Sequence, residues 1–367
     1  MVRPGAVCAG PPRVPSGRFR PERRGGVIGA DDSSATVREL GEFALIARMN
    51  AGRAQGRGVL LGPGDDAAVL AAPDGRLVVT TDMLVQNRHF RLDWSAPEEI
   101  GRKAIAQNAA DVVAMGAVPT AFVVALGCPG ETPVAVIDGL AAGMWAEAAR
   151  ACGATIAGGD LVRSPELVIS VTALGDLEGR APVPRSGARA GDVVALAGRP
   201  GWSAAGLGIL LAETAELPAR IETLRSAALA AHRVPRPPYA AVLDAVRAGA
   251  RPTAMADTSD GLLADLAHIA EASEVAVDLD SAALADPALA ELATALEHDA
   301  AQWIRSGGED HAFVAAWPAG TELPPEWRPI GRVTAGSGVT VDGAAHRGPR
   351  GWESFSGVES PPVGDPR

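Results

Sequence analysis

Lysine is almost missing from this 367-residue chain: Lys103 is the single one, beside 32 arginines. That scarcity excludes the G-x-x-x-x-G-K-[ST] phosphate loop, whose lysine follows a glycine, because Lys103 follows Arg102 in a stretch of helical character. So lopsided a choice of cation looks like genomic base composition. The signature segments of protein kinases are absent too. Three cysteines (Cys8, Cys128, Cys152) form no C-x-x-C pair and no ligand spacing. They argue against zinc and a disulfide framework and for a reducing compartment. Aromatic residues make up only 4%, which leaves Ala, Val and Leu to fill a core. Neither a signal peptide nor a membrane span is evident. Val112 to Gly130 carries no charge, yet Gly116, Pro119, Thr120 and Gly127 break it into a helix end, a turn and a strand.

What is present describes a globular protein: 47% apolar and 21% charged residues, over a length that suits two compact domains. The net charge of −11 argues against nucleic acid as a partner of the whole surface. Six arginines before residue 25 (Arg3, Arg13, Arg18, Arg20, Arg23, Arg24) make a local basic run, but Pro and Gly interrupt it. Residues 1–35 therefore read as a disordered basic tail or an over-extended start, and a cytoplasmic location is expected. Order is expected from Thr36, in an amphipathic helix. Residues 59–61, 67–70, 77–81, 120–126 and 167–174 read as strands, with helices at 96–115 and 134–152. Ser95 with Glu98 reads as the capping box of the first of these. The Pro/Gly/Arg-rich stretch Gly179 to Gly191 reads as a linker. Beyond it, strands are expected at 193–196, 275–279 and 313–316, and helices at 204–212, 239–248 and 261–272. Neither half alternates strand and helix as a doubly wound sheet does, so two α+β domains are expected, 36–178 and 179–357, with a loose tail at 358–367.

The chemistry is carried by aspartates. Asp65 and Asp66 in Gly-Asp-Asp-Ala-Ala, Asp82 in Thr-Thr-Asp, Asp111, Asp160 after Gly158-Gly159, and Asp257 and Asp260 in Asp-Thr-Ser-Asp-Gly all stand beside small residues. Hard oxygen ligands in such settings suit Mg²⁺ with substrate phosphates. Each also has a plain reading: Asp beside Gly is an ordinary turn residue, and Asp260 could cap the helix after it. Gly198 to Ser203, ahead of a helix, could cradle a phosphate on the helix N-terminus or be a simple turn.

Taken in order, these segments resemble the thiamine-monophosphate kinase family, within the aminoimidazole-ribotide-synthetase-like ATP-binding proteins. The likeness runs from about residue 38 to residue 356. Its markers are Gly-Glu-Phe-Ala-Leu-Ile-Ala-Arg (41–48), Gly-Asp-Asp-Ala-Ala (64–68), Thr-Thr-Asp (80–82) with His89-Phe90, and Asn108 to Asp111 with Ala-Met-Gly-Ala (114–117). Gly-Gly-Asp (158–160), Arg-Ser-Gly (185–187), Asp-Thr-Ser-Asp-Gly-Leu (257–262) and Ser-Gly-Gly-Glu-Asp (306–310) complete them. The resemblance implies a two-domain fold whose N-terminal domains share a β-barrel across a homodimer. It implies that Asp65, Asp66, Thr80, Thr81, Asp82, Asp111, Asp160, Asp257 and Asp260 hold several Mg²⁺ ions. Among these, Asp82, Asp160 and Asp260 would stand at the reacting phosphates. Gly159, Asp160, Arg185 and Ser259 would contact ATP, and His89, Glu309 and Trp352 would meet thiamine monophosphate.

His311-Ala312 departs from the Tyr-Glu that usually follows Gly-Gly-Glu-Asp. The implied reaction needs no strong base, since a phosphate monoester has a second pKa of about 6 and is mostly ionised at neutral pH. Metal ions would screen the repulsion between two anions in an in-line transfer. Other readings keep the fold and change the substrate. A selenophosphate synthetase would want a reactive Cys in a Gly-rich segment, and a hydrogenase-maturation dehydratase a C-terminal Cys, whereas the last cysteine here is Cys152. A silent nucleotide- or cation-binding protein, or an Mg²⁺-dependent phosphatase, also stays open.

Overall fold

The computed structural model describes residues 35–63, 67–212 and 218–352. Asp65, Asp66, the basic run and the C-terminal tail lie outside the described residues. After two short helices, α1 (Val37–Leu40) and α2 (Glu42–Asn50), the chain forms a two-stranded ribbon, β1 (Val59–Leu61) with β2 (Val69–Leu70). It continues through β3 (Val78–Val85), α3 (Pro97–Ala114), β4 (Val118–Cys128), α4 (Val134–Arg150), β5 (Thr155–Arg163) and β6 (Val168–Asp176). Four of these strands make a sheet in the order β3-β6-β4-β5, antiparallel except for β4 with β5.

Three sequence expectations need correction here. Gly158-Gly159-Asp160 reads as a turn, yet it is the middle of β5. A Cβ on Gly159 would lie 1.9 Å from the carbonyl oxygen of Val124 on the neighbouring strand, so the glycine is a close-approach residue rather than a breaker. The start of α3 lies one residue later than expected. Glu99, not Glu98, reaches back, accepting from the Ala96 N–H at 2.8 Å, and Ala96 has no side-chain oxygen to complete a box. Asp82, expected at a strand end, lies inside β3.

The second half holds β7 (Val193–Ala197), α5 (Trp202–Leu211), α6 (Ala219–Arg233), α7 (Tyr239–Arg247), β8 (Ala254–Asp257), α8 (Leu262–Ala272) and β9 (Ala276–Leu279). Then come α9 (Ser281–Leu284), α10 (Pro287–Ala295), α11 (Ala300–Ser306), β10 (Phe313–Trp317), β11 (Arg328–Thr334), β12 (Gly338–Val341) and β13 (Ala344–Ala345). Its seven strands run β13-β12-β9-β11-β7-β10-β8, with only β12 and β9 parallel. Both faces of this sheet are covered. Ala195, Phe313, Ala315 and Trp317 pack with α7 into the first core, and Val194, Leu196, Val314 and Ala316 pack with α5, α8, α10 and α11 into a second.

Helix α3 is the piece that joins the halves. It lies on β3 and β6 and also meets β8 and α7, so it is enclosed on all sides. That explains why even its polar Lys103, Gln107 and Asn108 are buried. It crosses α4 at very short range, because Gly101 and Gly143 face the partner backbone. A Cβ on Gly101 would stand 2.1 Å from the Leu140 carbonyl oxygen, and one on Gly143 1.9 Å from that of Glu98. Among the described residues nothing covers the opposite face of the four-stranded sheet, with Val79, Met83 and Val162 more than half exposed. Among the described residues no helix is long and apolar enough to cross a membrane.

Candidate active site

Strand β3 alternates, and that alternation sorts its site residues. Thr80 and Asp82 point toward α3. The Thr80 hydroxyl donates to Asp111 Oδ2 at 2.9 Å, and Gln107 Nε2 donates to Asp82 Oδ2 at 3.3 Å. The Asp82 N–H donates to Asn108 Oδ1 at 3.0 Å, which locks the strand to the helix. Thr81 points the other way, donating to the Val171 carbonyl.

The second half supplies the turn from β8 into α8. Asp257 is buried, and His311 Nδ1 meets its Oδ2 at 2.9 Å. Asp260 does not cap α8, as the sequence allowed. Instead Asp265, one turn into the helix, accepts from the N–H groups of Asp260 and Gly261 at 3.2 and 3.1 Å, leaving the Asp260 carboxylate unused. The C-terminal segment lies against the same turn. Trp352 N–H donates to the Asp260 carbonyl, and Gly351 is so close that a Cβ would be 2.6 Å from that oxygen. The Trp352 ring is 67% exposed, so it is free to meet a ligand.

These carboxylates feel one another. Burial first, then the charges of Asp257 and Asp82, push the Asp111 carboxyl up to about 7. Burial and then Asp257 raise Asp265 to about 7, and burial raises Asp260, with His268, Arg185 and His311 opposing. Burial pulls the His311 imidazole down, and the hydrogen bond and charge of Asp257 more than reverse it. Mutual repulsion of this kind is what bound cations relieve. Among the described residues the donor set is one hydroxyl and several carboxylates, with His268 within 4.8 Å of the Asp260 and Asp265 oxygens as a nitrogen donor; its predominantly hard oxygens fit Mg²⁺.

A measurable consequence follows, with its sign fixed by the direction of the shifts. A carboxyl raised in the fold holds a proton that the unfolded chain has lost, so its stabilising contribution is complete below the ordinary carboxylate pKa. That contribution disappears as pH rises through the folded value of about 7. Without divalent cations the thermal midpoint should therefore fall between about pH 4 and 7 from these groups, and added Mg²⁺ should raise it more at pH 8 than at pH 6. Thermal unfolding over that range, with EDTA or Mg²⁺, checks it. A Mg²⁺ effect independent of pH would contradict the shared site.

The loop after α11 closes the other side. Glu309 and His311 both have positive φ, 64° and 49°, a left-handed conformation uncommon for residues other than glycine and shared with six others in the described residues. Glu309 N–H donates to the Ser259 carbonyl and His311 N–H to that of Thr258, which sets the loop beside the β8–α8 turn. Between them Asp310 accepts from Gly201 and Ser203 N–H at 2.6 and 2.8 Å. That corrects one expectation. The N-terminus of α5, open to a phosphate in the sequence reading, is occupied by the chain's own carboxylate. His89 follows β3, where its Nδ1 accepts from Val85 N–H at 3.0 Å, so its proton resides on Nε2.

The structure thus brings Thr80, Asp82, Asp111, Asp257, Asp260, Ser259, Arg185, His89, Glu309 and Trp352 to one junction of the two sheets. It does not bring Gly159 and Asp160 there. They lie on β5, three strand spacings or about 14 Å from Asp82. Asp160 instead shares the bare sheet face with Thr81 and Met83, in register through Ser170 and Ala125. Two residues went unread in the sequence: His311, bonded to Asp257, and Lys103, whose ammonium donates to Glu309. His311 occupies the position where the sequence departs from the usual Tyr, and Lys103 carried only its rarity as a signal. Ala312 packs against Gly198, where a Cβ would be 2.6 Å from its own, which leaves no room for a larger side chain.

Residues 64–177 match the family described as AIR synthase related protein, N-terminal domain, and residues 189–343 its C-terminal domain. The curated thiamine-monophosphate kinase of Mycobacterium tuberculosis is 55% identical over 328 residues, 88% of this chain and 94% of that protein. Among solved structures, thiamine-monophosphate kinase from Stenotrophomonas maltophilia K279a has a TM-score of 0.68 at 34% identity, covering 82% of this chain and 95% of the other. AaThiL complexed with AMPPCP and TMP has a TM-score of 0.69 at 29% identity, covering 86% and 98%. A carboxylate-lined junction between two AIR synthase-related domains, on a chain this close to its relatives, leaves one conclusion about kinship: the chain belongs to the thiamine-monophosphate kinase family.

Proposed function

We propose that the protein transfers the γ-phosphoryl group of ATP to thiamine monophosphate, giving thiamine diphosphate and ADP. The observation that carries this reading is the meeting of Thr80, Asp82 and Asp111 with Asp257 and Asp260 across the two sheets. Relatives named for that activity, and one solved with AMPPCP and TMP, support it. Mg²⁺ ions would be held by these five residues, with Asp65 and Asp66 as further expected ligands, and would supply charge neutralisation at the phosphates; Thr81 and Asp160, on the other face of the sheet, fall outside this set.

The chain's own groups orient the reactants. Arg185 and Ser259, beside the Asp260 turn, are placed for the nucleotide. His89 Nε2–H, Glu309 and the exposed Trp352 ring are placed for the thiamine end. A phosphate oxygen of thiamine monophosphate forms a bond to the γ-phosphorus while the bond to the β,γ-bridging oxygen breaks, its electron pair leaving with ADP. No base is needed for an acceptor that is already ionised. Nor does the site offer a nucleophilic triad. The same nitrogen of His232, Nδ1, faces both Ser203 Oγ at 3.2 Å and Glu309 at 3.7 Å, so no relay runs through opposite sides of the ring.

The bare sheet face suits a second copy of the chain, giving the homodimer that the family's barrel requires. Thr81 and Asp160 would then stand at its interface. Met83→Glu on that face should convert dimer to monomer in light scattering, and a wild type that is monomeric would remove this element. The protein is expected in the cytoplasm. The reaction itself is tested by incubating purified protein with ATP, Mg²⁺ and thiamine monophosphate and separating the thiamine esters. Thiamine diphosphate formed only with both ATP and metal establishes it, and ATP binding without product points to another acceptor on this fold.

A further inference from the structure

The chain's one lysine has no part in the chemistry above. Lys103 lies on α3 between the two sheets and is only 2% exposed. Its Nζ donates to Glu309 Oε2 at 2.9 Å and to the backbone carbonyl of His89 at 3.1 Å. Those acceptors belong to two of the three residues assigned to the thiamine end. They reach the ammonium from separate loops, His89 from the one after β3 and Glu309 from the one after α11.

Glu309 shows what the contact does. Oε2 is held by Lys103, while Oε1 has no hydrogen bond and about a third of the side chain, 32%, is open to solvent. One oxygen is tied down so that the other is presented. Burial alone would push the carboxyl up, but the Lys103 ammonium outweighs it and keeps Glu309 ionised. His232 is driven down to about 4, by burial first and then by the Lys103 charge, so it stays neutral, while His311, raised by Asp257, adds its own pull on Glu309.

We propose that Lys103 is a positioning residue for the substrate's thiamine end, fixing Glu309 and the His89 loop in a single geometry across the two halves of the molecule. The proposal rests on the thiamine monophosphate reading above. It also accounts for the one place where a chain with 32 arginines keeps a lysine. A compact ammonium in a closed space can point separate donors at two acceptors, whereas a planar guanidinium needs room for its fork.

The test uses the full-length protein as Lys103→Met and Lys103→Arg, each alone and with Glu309→Gln, with KM for thiamine monophosphate and for ATP measured separately. Lys103→Met should raise the KM for thiamine monophosphate about 30-fold or more, as expected when one partner of a buried charge pair is removed. The KM for ATP should move less than about threefold. On the Glu309→Gln background the same substitution should add less than about threefold, because the two residues act as one unit. Lys103→Arg should restore only part of the loss. Should Lys103→Met alone fail to fold, the Lys103→Met/Glu309→Gln pair removes both charges and can be compared with Glu309→Gln directly. Equal changes in both KM values, or additive effects of the two substitutions, would overturn the proposal. A wild type that does not convert thiamine monophosphate overturns the proposed function. A converting wild type beside an unaltered Lys103→Met protein overturns this inference alone.

Discussion

Asp82→Ala should lower kcat by about a thousandfold or more, as loss of one strong charge-stabilising ligand does in phosphoryl-transfer sites, while the protein remains folded. The second half of that expectation is as informative as the first. Asp82 is one of the charges that raise Asp111, and its side chain has a single weak partner, Gln107 at 3.3 Å. Removing it relieves repulsion in the cation-free protein. The thermal midpoint without Mg²⁺ should thus hold or rise, whereas the extra stability that Mg²⁺ confers should shrink. Activity and thermal unfolding measured on the same preparation check both. A folded Asp82→Ala protein with ordinary turnover would remove the carboxylates from the reaction.

The largest stability effect is expected far from that chemistry, where α3 crosses α4. Gly143→Ala would set a Cβ 1.9 Å from the Glu98 carbonyl oxygen, a backbone atom that cannot swing aside. Alanine favours a helix over glycine by about 0.5–1 kcal/mol, and on an open helix that would win. Here overpacking against a backbone should cost about 3 kcal/mol or more, so the net sign is destabilising. Gly101→Ala meets the Leu140 carbonyl in the same way. Urea unfolding of either variant decides the matter. A gain in stability would mean that the two helices do not approach so closely. Since α3 carries Lys103, Asn108 and Asp111, pushing it away should also impair the site.

How much of this could be read in the sequence depends on what kind of signal each residue leaves. The aspartates were legible because they sit in short motifs whose order survives, and the junction of the two sheets then gathers most of them. Their partition was not legible. Thr80 and Thr81 are neighbours in the chain yet face opposite sides of a strand, and Asp160 ends up on Thr81's face of the sheet rather than on Asp82's. Helix α3 was readable from Pro97, its alanines and Gly116, but one residue out at its start, because Ser95 and Glu98 offer a capping-box pattern while the fold uses only Glu99, which reaches back to the Ala96 N–H. β5 was missed because Gly158-Gly159 looks like punctuation, when Gly159 is there to let Val124 pass. Asp310 shows the reverse difficulty. A motif residue to which the sequence assigned no role accepts from the α5 amides, a pairing more than 100 positions apart. The enclosure of α3 is a property of both halves together, and no window of sequence contains it.

That enclosure gives the protein a built-in reporter. Lys103 is the chain's only side-chain amine, and it stands where the two sheets meet, 2% exposed. An amine-reactive reagent therefore has one internal target, and it can reach that target only while the junction is parted. The rate at which the label appears, with and without ligands, times the opening of the molecule with no engineered probe.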